Sequence, residues 1–503
     1  MSELDSPQGW HVARITIEAM SPLSCSSGQG AESDNGLVRD ANGLPMIPGA
    51  TLQGLLRQYC SIDCRDYLFG KEVDGTTTAA RLYFSNALVH NSKNVAVQFP
   101  DDCTDPLLQK LLSEVPLKRE HVRLDHRHGA AQGGKFDRGA VPKGTRFSFE
   151  LLMCGTTAEN DALGAALSGL AHPLFRIGGS GRRGYGKVNV EAARHCFFDS
   201  KDQAAFRTLR ATPLGNVPTS WNAVEFVGTD ANVLTISLDL KPVQPWRTGQ
   251  GPAAHATVTG KQPEYFTDCD KRENHNRAAD TRDKIVDLVP LREAAISWAS
   301  NEGTWIEPTK EDFVGFLLPA SGVRGPLLHR TLYHLSVLGE EWADGDADVS
   351  KRLMSQREKL NALFGFVSDS KAATDDKAAL ASPLFMDDVP FTPAKVIPSD
   401  HIRIDRFTGG IIQGALYSQE LVQTDELKLK ILIDTSRLEN VDANLRSAFL
   451  HALRDLAEGR LALGAKSLGF CTGRAEPIFC GKSDQDWQEA WKATDRHPQK
   501  EAA

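Results

Sequence analysis

A nine-residue string occurs twice in this chain, as His121-Val-Arg-Leu-Asp125-His-Arg-His-Gly129 and as His401-Ile-Arg-Ile-Asp405-Arg-Phe-Thr-Gly409, with His, Arg, Asp and Gly at matching places. The landmarks around it recur in the same order. A proline six residues before a glycine opens a helix-like run at Pro48–Gly54 and again at Pro319–Gly325. Leu-Phe-Gly follows at Leu68–Gly70 and at Leu363–Gly365, and glycine-rich stretches close each set at Gly178–Gly186 and Gly464–Gly473. A repeat unit this long is a domain, not a short solenoid module. The chain is therefore read as a tandem duplication, with a first domain over 1–215, a linker over 216–231, a second domain over 232–483 and a mobile tail over 484–503. Units of about 220 to 270 residues are each large enough to bury a core.

Composition bounds the class. Hydrophobic content of 41% and charged content of 24% are ordinary for a globular protein. No apolar run reaches the roughly 18 residues that a membrane span requires, and Met1–Pro7 lacks the basic-then-apolar form of a signal peptide, so a cytoplasmic location is expected. Nine cysteines are scattered through the chain, and reduced thiols are the default reading. Cys60 and Cys64 form the close pair; a structural zinc there would need two more ligands, and two buried thiols are the simpler reading.

The formal charge of −8 hides a local excess of the opposite sign. Between Lys118 and Arg146 stand eight Lys or Arg against three acids, with His121, His126 and His128 among them. The first glycine-rich stretch adds Arg176, Arg182, Arg183 and Lys187 with no acid between. Basic segments on an acidic body fit a focused polyanion track. A solvated charged face is the competing reading.

Periodicity gives a coarse fold. Trp10–Glu18 alternates as a strand, Pro22–Asp34 is small and polar and reads as a loop, and Thr51–Cys60 reads as a short helix. Ala80–Ser85 and Thr145–Leu152 read as strands, and Asp161–Leu170 as a second helix. Residues 200 to 228 show little periodicity. The second half restarts with the strand-like Asn232–Leu240, continues through a polar stretch over Gly249–Asp283, and places an amphipathic helix over Ala443–Leu463. Strands interleaved with two helices per half favour α+β with antiparallel sheets.

The glycine-rich stretch Gly178-Gly-Ser-Gly-Arg-Arg-Gly-Tyr-Gly186-Lys187 lacks the Gly-Lys-Ser/Thr of a P-loop and leads into a strand-like run instead of a helix. Its backbone amides and flanking arginines suit a phosphate, and a tight turn at a domain seam is the alternative.

Asp34–Arg57 as a whole, Leu68-Phe-Gly70, Arg81–Ser85, Arg123-Leu-Asp125, Phe136-Asp-Arg138 with Val141-Pro142, and the arginine-bearing glycine stretch together resemble the RAMP superfamily, and within it the backbone subunits of type III CRISPR effector complexes. The resemblance covers residues 10 to 192 in order; 232 to 478 is similar and more divergent. Two fused backbone subunits look most like variants such as type III-D.

The resemblance implies tandem RRM-like, ferredoxin-like RAMP domains, each with a β-hairpin thumb after the Arg-Leu-Asp or Arg-Ile-Asp string. It implies binding to a CRISPR guide RNA, to single-stranded target RNA and to other effector subunits, with the thumb turning one target nucleotide out of the duplex. It further implies an aspartate that promotes cleavage beside that nucleotide. Asp34 matches that position in the first half, and Asp287, with Asp283 next, is nominated in the second. RNA carries its own 2′-hydroxyl nucleophile, so one carboxylate with a divalent cation, Mg2+ or Mn2+, could suffice for an endoribonuclease of this antiviral kind. RNA contacts are expected from Arg57, Arg123, His126, Arg127, His128, Lys135, Arg182, Arg183 and Lys187 in the first half, and from Arg324, Arg403, Arg406 and Lys466 in the second. The second glycine stretch has lost the paired arginines. Two alternatives remain open: a non-catalytic RNA-binding scaffold, and an autonomous nucleotide-binding enzyme using the glycine turn.

Overall fold

The computed structural model describes residues 9–28, 35–73, 76–99, 101, 103–124, 130–215, 218–226, 232–252, 288–309, 312–339, 358–367, 379–412, 416–464 and 472–494. It is a mixed α+β structure in which the two large sheets are antiparallel.

In the first half Gly9–Ala19 is the central strand. It pairs on one side with Arg146–Gly155, which carries Leu82–Phe84 and Ala87–Val89, and on the other with Val188–Asp199. Ile15 and Ile17 stand in the middle of this sheet because alternating branched residues send one face inward, onto the helices Gly49–Tyr59 and Asn160–Leu167. The second half repeats the order. Val233–Pro242 is central, Leu427–Asp434 and then Leu384–Met386 lie on one side, and Ile478–Gly481 lies on the other. Its core gathers on the helices Ala320–Leu338 and Ala443–Ala457. In each half the chain runs strand, helix, strand, strand, helix, strand, with the two chain-end strands adjacent, which is the split β-α-β order of ferredoxin-like folds.

Four expectations need correction. Gln203–Ala211 is a helix, capped by Asp202 and held by Arg14, whose guanidinium donates to the carbonyls of Leu209, Thr212 and Pro213. Its single apolar stripe is too short to stand out in a polar stretch. Within the expected linker, Asn222–Ala223 extends the first sheet, and Val224 and Phe226 pack in the first core, so the first unit continues beyond 216. The tail opens as a helix, Asp484–Ala493, that buries Trp487 in the second core and stacks Trp491 under Arg454 at 4.4 Å. Two large aromatics anchor a segment whose charges read as solvated. Finally, Ser26–Gly28 of the expected loop pairs as a short strand with Gly36–Leu37.

The halves meet through a strap. The hairpin Ala295–Ala299/Glu302–Ile306 belongs to the second half in sequence but docks on the first. Ile296 enters the first core, Trp298 Nε1 donates to the Gly144 carbonyl at 2.7 Å, and Arg146 lies over the Trp298 ring at 4.3 Å. A second apolar contact, of Leu174 with Val233, Phe385 and Leu432, continues the seam.

Candidate nucleic-acid interface

Each half carries one copy of the repeated string at the end of a hairpin's outgoing strand. The first hairpin pairs Leu117–Leu124 with Ala130–Ala140, with a register shift between Ala130 and Lys135; the second pairs Lys395–His401 with Tyr417–Gln423 residue for residue. The histidine that opens the string has the same neighbour in both. His121 faces Phe136 across the strands with rings 5.1 Å apart at 19°, and His401 faces Tyr417 at 5.2 Å and 16°. Cross-strand aromatic pairs of this kind fix register.

The second tip is described in full as far as Ile412. Asp405 accepts hydrogen bonds from the amides of Phe407 (2.9 Å) and Thr408 (2.8 Å), which hold its carboxyl below the usual range. This turn lifts Phe407 clear of the body at 99% exposure, with Ile402, Ile404 and Ile411 exposed below it. Arg403 and Arg406 are exposed on the same tip. In the first hairpin His126, Arg127 and His128 lie outside the described residues, while Arg123 and Lys135 are exposed, Lys135 at 3.3 Å from Glu120.

The residues that follow the candidate aspartates meet the returning hairpin strand in both halves. Gly36–Leu37 comes back beside Ser26–Gly28, and the carbonyl of Asn35 accepts from the amide of Gly139, in the returning hairpin strand, at 3.3 Å. Leu288–Pro290 comes back beside Gly249–Pro252, and Leu288 pairs in parallel with Gln419, again in the returning hairpin strand. Asp34, Asp283 and Asp287 themselves lie outside the described residues. Asp34 is the residue bonded to Asn35, and Asp287 the one bonded to Leu288.

The glycine turns also correspond. Gly178 (φ +83°) and Gly464 (φ +90°) each press on a carbonyl just past the central strand, Ser24 and Arg247, where an added Cβ would sit at 2.2 and 2.5 Å. Both the left-handed backbone and the close approach require glycine. Lys466 lies outside the described residues.

The first turn's cations are divided between two uses. Arg176 and Lys187 bind Asp387 of the second half at 2.8 and 2.7 Å; burial pushes that carboxyl up, but the two cations outweigh it and hold it low. Arg182 donates to the Ser382 carbonyl at 2.5 Å and covers the Phe385 ring at 4.8 Å. These three therefore face the seam. Arg183 is exposed. Arg324 is buried in the helix Ala320–Leu338 and donates to the Phe364 carbonyl at 2.6 Å; burial, with Arg183 and Arg182 nearby, lowers its pKa to about 9. Arg57 is half-buried, 3.4 Å from the Phe69 carbonyl.

Sequence reasoning missed the centre of the seam. Arg119, two residues before the string, is buried and ion-paired with Glu293 and with Asp388 (2.6 Å), and lies over the Tyr185 ring at 4.9 Å. Burial alone would lower its pKa, but the two carboxylates outweigh it and raise it well above the ordinary value. Asp388 also accepts from the Ala320 amide at 2.8 Å, just as Asn86 accepts from Gly49 at 3.0 Å in the first half. Nothing in a basic run marks which arginine is buried; the one available signal was Asp387-Asp388, where the first half has Ser85-Asn86.

Cys60 is a buried thiol pushed up to about 11 by burial and by Cys64. Among the described residues no group of three or more His, Cys, Asp or Glu could hold a metal ion. No helix of the described residues is long and apolar enough to cross a membrane.

Residues 16–189 match the model of the RAMP superfamily, a stretch that runs from the central strand of the first sheet, through the hairpin, into the strand after the glycine turn. A curated relative, the CRISPR system Cms endoribonuclease Csm3 of Methanothermobacter thermautotrophicus, is 27% identical over 185 residues, covering 32% of this chain and 73% of the relative.

Proposed function

We propose that this chain is a guide-RNA-binding backbone subunit of a type III CRISPR effector complex, built from two fused RAMP units, that also binds target RNA and cuts it beside each hairpin. The observation that carries this reading is the shared juxtaposition in the two halves. The strand order is the same, and in each half the residue that follows the candidate aspartate, Asn35 or Leu288, meets the returning strand of the hairpin. The similarity of the first half to the RAMP superfamily and to an endoribonuclease of a CRISPR system supports it.

In this reading the hairpins do the mechanical work. A regular A-form duplex keeps the 2′-hydroxyl out of line with the neighbouring phosphate, and an unstacked nucleotide can reach the in-line arrangement. Phe407 and the exposed isoleucines at the second tip supply an apolar wedge for a base step. The 2′-oxygen then bonds to phosphorus as the bond to the 5′-oxygen breaks, leaving a cyclic phosphate and a 5′-hydroxyl. Asp34 and Asp287 are the groups assigned to take the 2′-proton. A divalent cation, Mg2+ or Mn2+, is expected to supply charge stabilisation, and the described residues alone offer no donor set for it. The second reading is a scaffold that binds RNA and leaves cutting to other subunits.

The test is to produce the chain with its genomic neighbours and a CRISPR array, then sequence the RNA that co-purifies. Guide RNA of discrete length, lost when either hairpin is replaced by a short turn, is the expected result. RNA of random sequence, or none, contradicts the reading.

A further inference from the structure

The carboxylates of the seam are all occupied. Asp387 is held by Arg176 and Lys187, and Glu293 and Asp388 by Arg119. Two further guanidiniums, Arg138 and Arg183, stand close to each other beside them. Arg138, on the returning strand of the first hairpin, is half-buried, and its Nε is buried without a hydrogen-bond partner among the described residues. Its pKa is lowered, chiefly by burial, with Tyr185 opposing and the nearby charge of Arg183 adding to the fall. Two uncharged groups, His121 and Tyr185, also lie near it. His121 bonds to the Tyr185 hydroxyl at 2.9 Å and is held down to about 4, first by burial and then by Arg119, Arg138 and Arg183. Burial pushes Tyr185 up to about 12.

Gly179 explains how the guanidinium fits. An added Cβ there would come within 2.6 Å of Arg138 Nη1, so the flat fork lies flush on the bare backbone of the turn. The next residue in the chain, Gly139, is the one whose amide reaches Asn35. A partly desolvated guanidinium with an unsatisfied donor and a second arginine close by is costly unless an anion completes it. An arginine fork matches the geometry of a phosphate.

We propose that Arg138, backed by Arg183 and seated on Gly179, binds a backbone phosphate of the RNA strand that passes the base of the first hairpin. This rests on the RNA-binding reading above and adds a contact to it. Arg138 is a binding residue in this account, and the neutral His121–Tyr185 pair adds no negative charge beside it.

The experiment measures binding of a fluorescent single-stranded RNA to the full chain across a salt series. Arg138→Gln should weaken binding roughly tenfold and reduce the salt slope by about 0.7, the value for one phosphate on a single strand. Arg138→Lys should retain the slope. Gly179→Ala should weaken binding with the charge intact and the melting temperature unchanged, because the displaced atom is the free end of a flexible side chain; it decides the matter should Arg138→Gln unfold. Wild-type slope and affinity in both Arg138→Gln and Gly179→Ala would overturn the inference alone. Absence of RNA binding by the unaltered chain would overturn the RNA-binding reading and the inference with it.

Discussion

The two hairpins share a skeleton and differ in chemistry. Both stack the string's histidine on a cross-strand aromatic, and both meet the residue that follows a candidate aspartate, Asn35 or Leu288. At the base of the first, Arg119 is buried against two carboxylates of the other half; at the matching position of the second stands Ser399, 3.1 Å from His401. In sequence the first string has His126, Arg127 and His128 where the second has Arg406, Phe407 and Thr408. The first glycine turn is basic and meets Asp387, and the second has lost its arginines. The skeleton follows from strand order and from glycines that no other residue can replace, and so it recurs. Side chains around it are free to specialise, and in the first half they are spent partly on holding the halves together.

That contrast breaks most readily at Arg119. Arg119→Ala strands Glu293 and Asp388 in the seam, and breaking a buried ion pair from one side typically costs about 3–5 kcal/mol. A fall in stability of that size by denaturant titration is expected, against less than about 0.5 kcal/mol for Ser399→Ala. Replacing all three charges with apolar or amide residues of similar volume, Arg119→Met with Glu293→Gln and Asp388→Asn, should recover much of the loss. Equal effects at Arg119 and Ser399 would mean that the hairpins are anchored alike.

A smaller effect follows from protonation in the first half. His121 and His90 are both held near 4, well below the ordinary 6.5, chiefly by burial. Between these values the unfolded chain takes up protons that the folded chain refuses, so stability is full above about 6.5 and falls as the pH drops towards 4. Below 4 this contribution is exhausted. The melting temperature should track that window, and His121→Gln should flatten the slope. A profile flat from 6.5 to 4 would show that neither ring is kept neutral.

The smallest effect on stability is expected at the second tip. Phe407→Ala removes a ring that touches solvent almost everywhere, so the melting temperature should not move. Yet cleavage of a guide-paired target beside the second hairpin should slow severalfold if the ring wedges a base step, as unstacking one costs a few kcal/mol. Unchanged cleavage would reduce the apolar tip to an ornament of the turn.

Much of the fold was legible because local signals agreed with the tertiary result. Pro48 and Pro319 stand just before helices that open at Gly49 and Ala320, and the alternating runs at Trp10 and Asn232 became the two central strands. The tail misled because its charge outweighed Trp487 and Trp491 in any average over the segment. The strap was not legible because its Ile296 serves the other half's core, and no periodicity reports a partner so distant in sequence. For the candidate interface, type and region were readable but burial was not. Arg182, Lys187 and Arg324 look no different in sequence from Arg183, Arg403 and Arg406, yet the first three face the seam or the interior and the last three face solvent.

The claim that each half works its own site is tested most directly by mapping the products of a target RNA cut by the assembled complex, with Asp34→Ala and Asp287→Ala made separately. The account predicts that each substitution erases a different cut while guide and target binding stay intact. Loss of every product with either substitution, or of none with both, would contradict it.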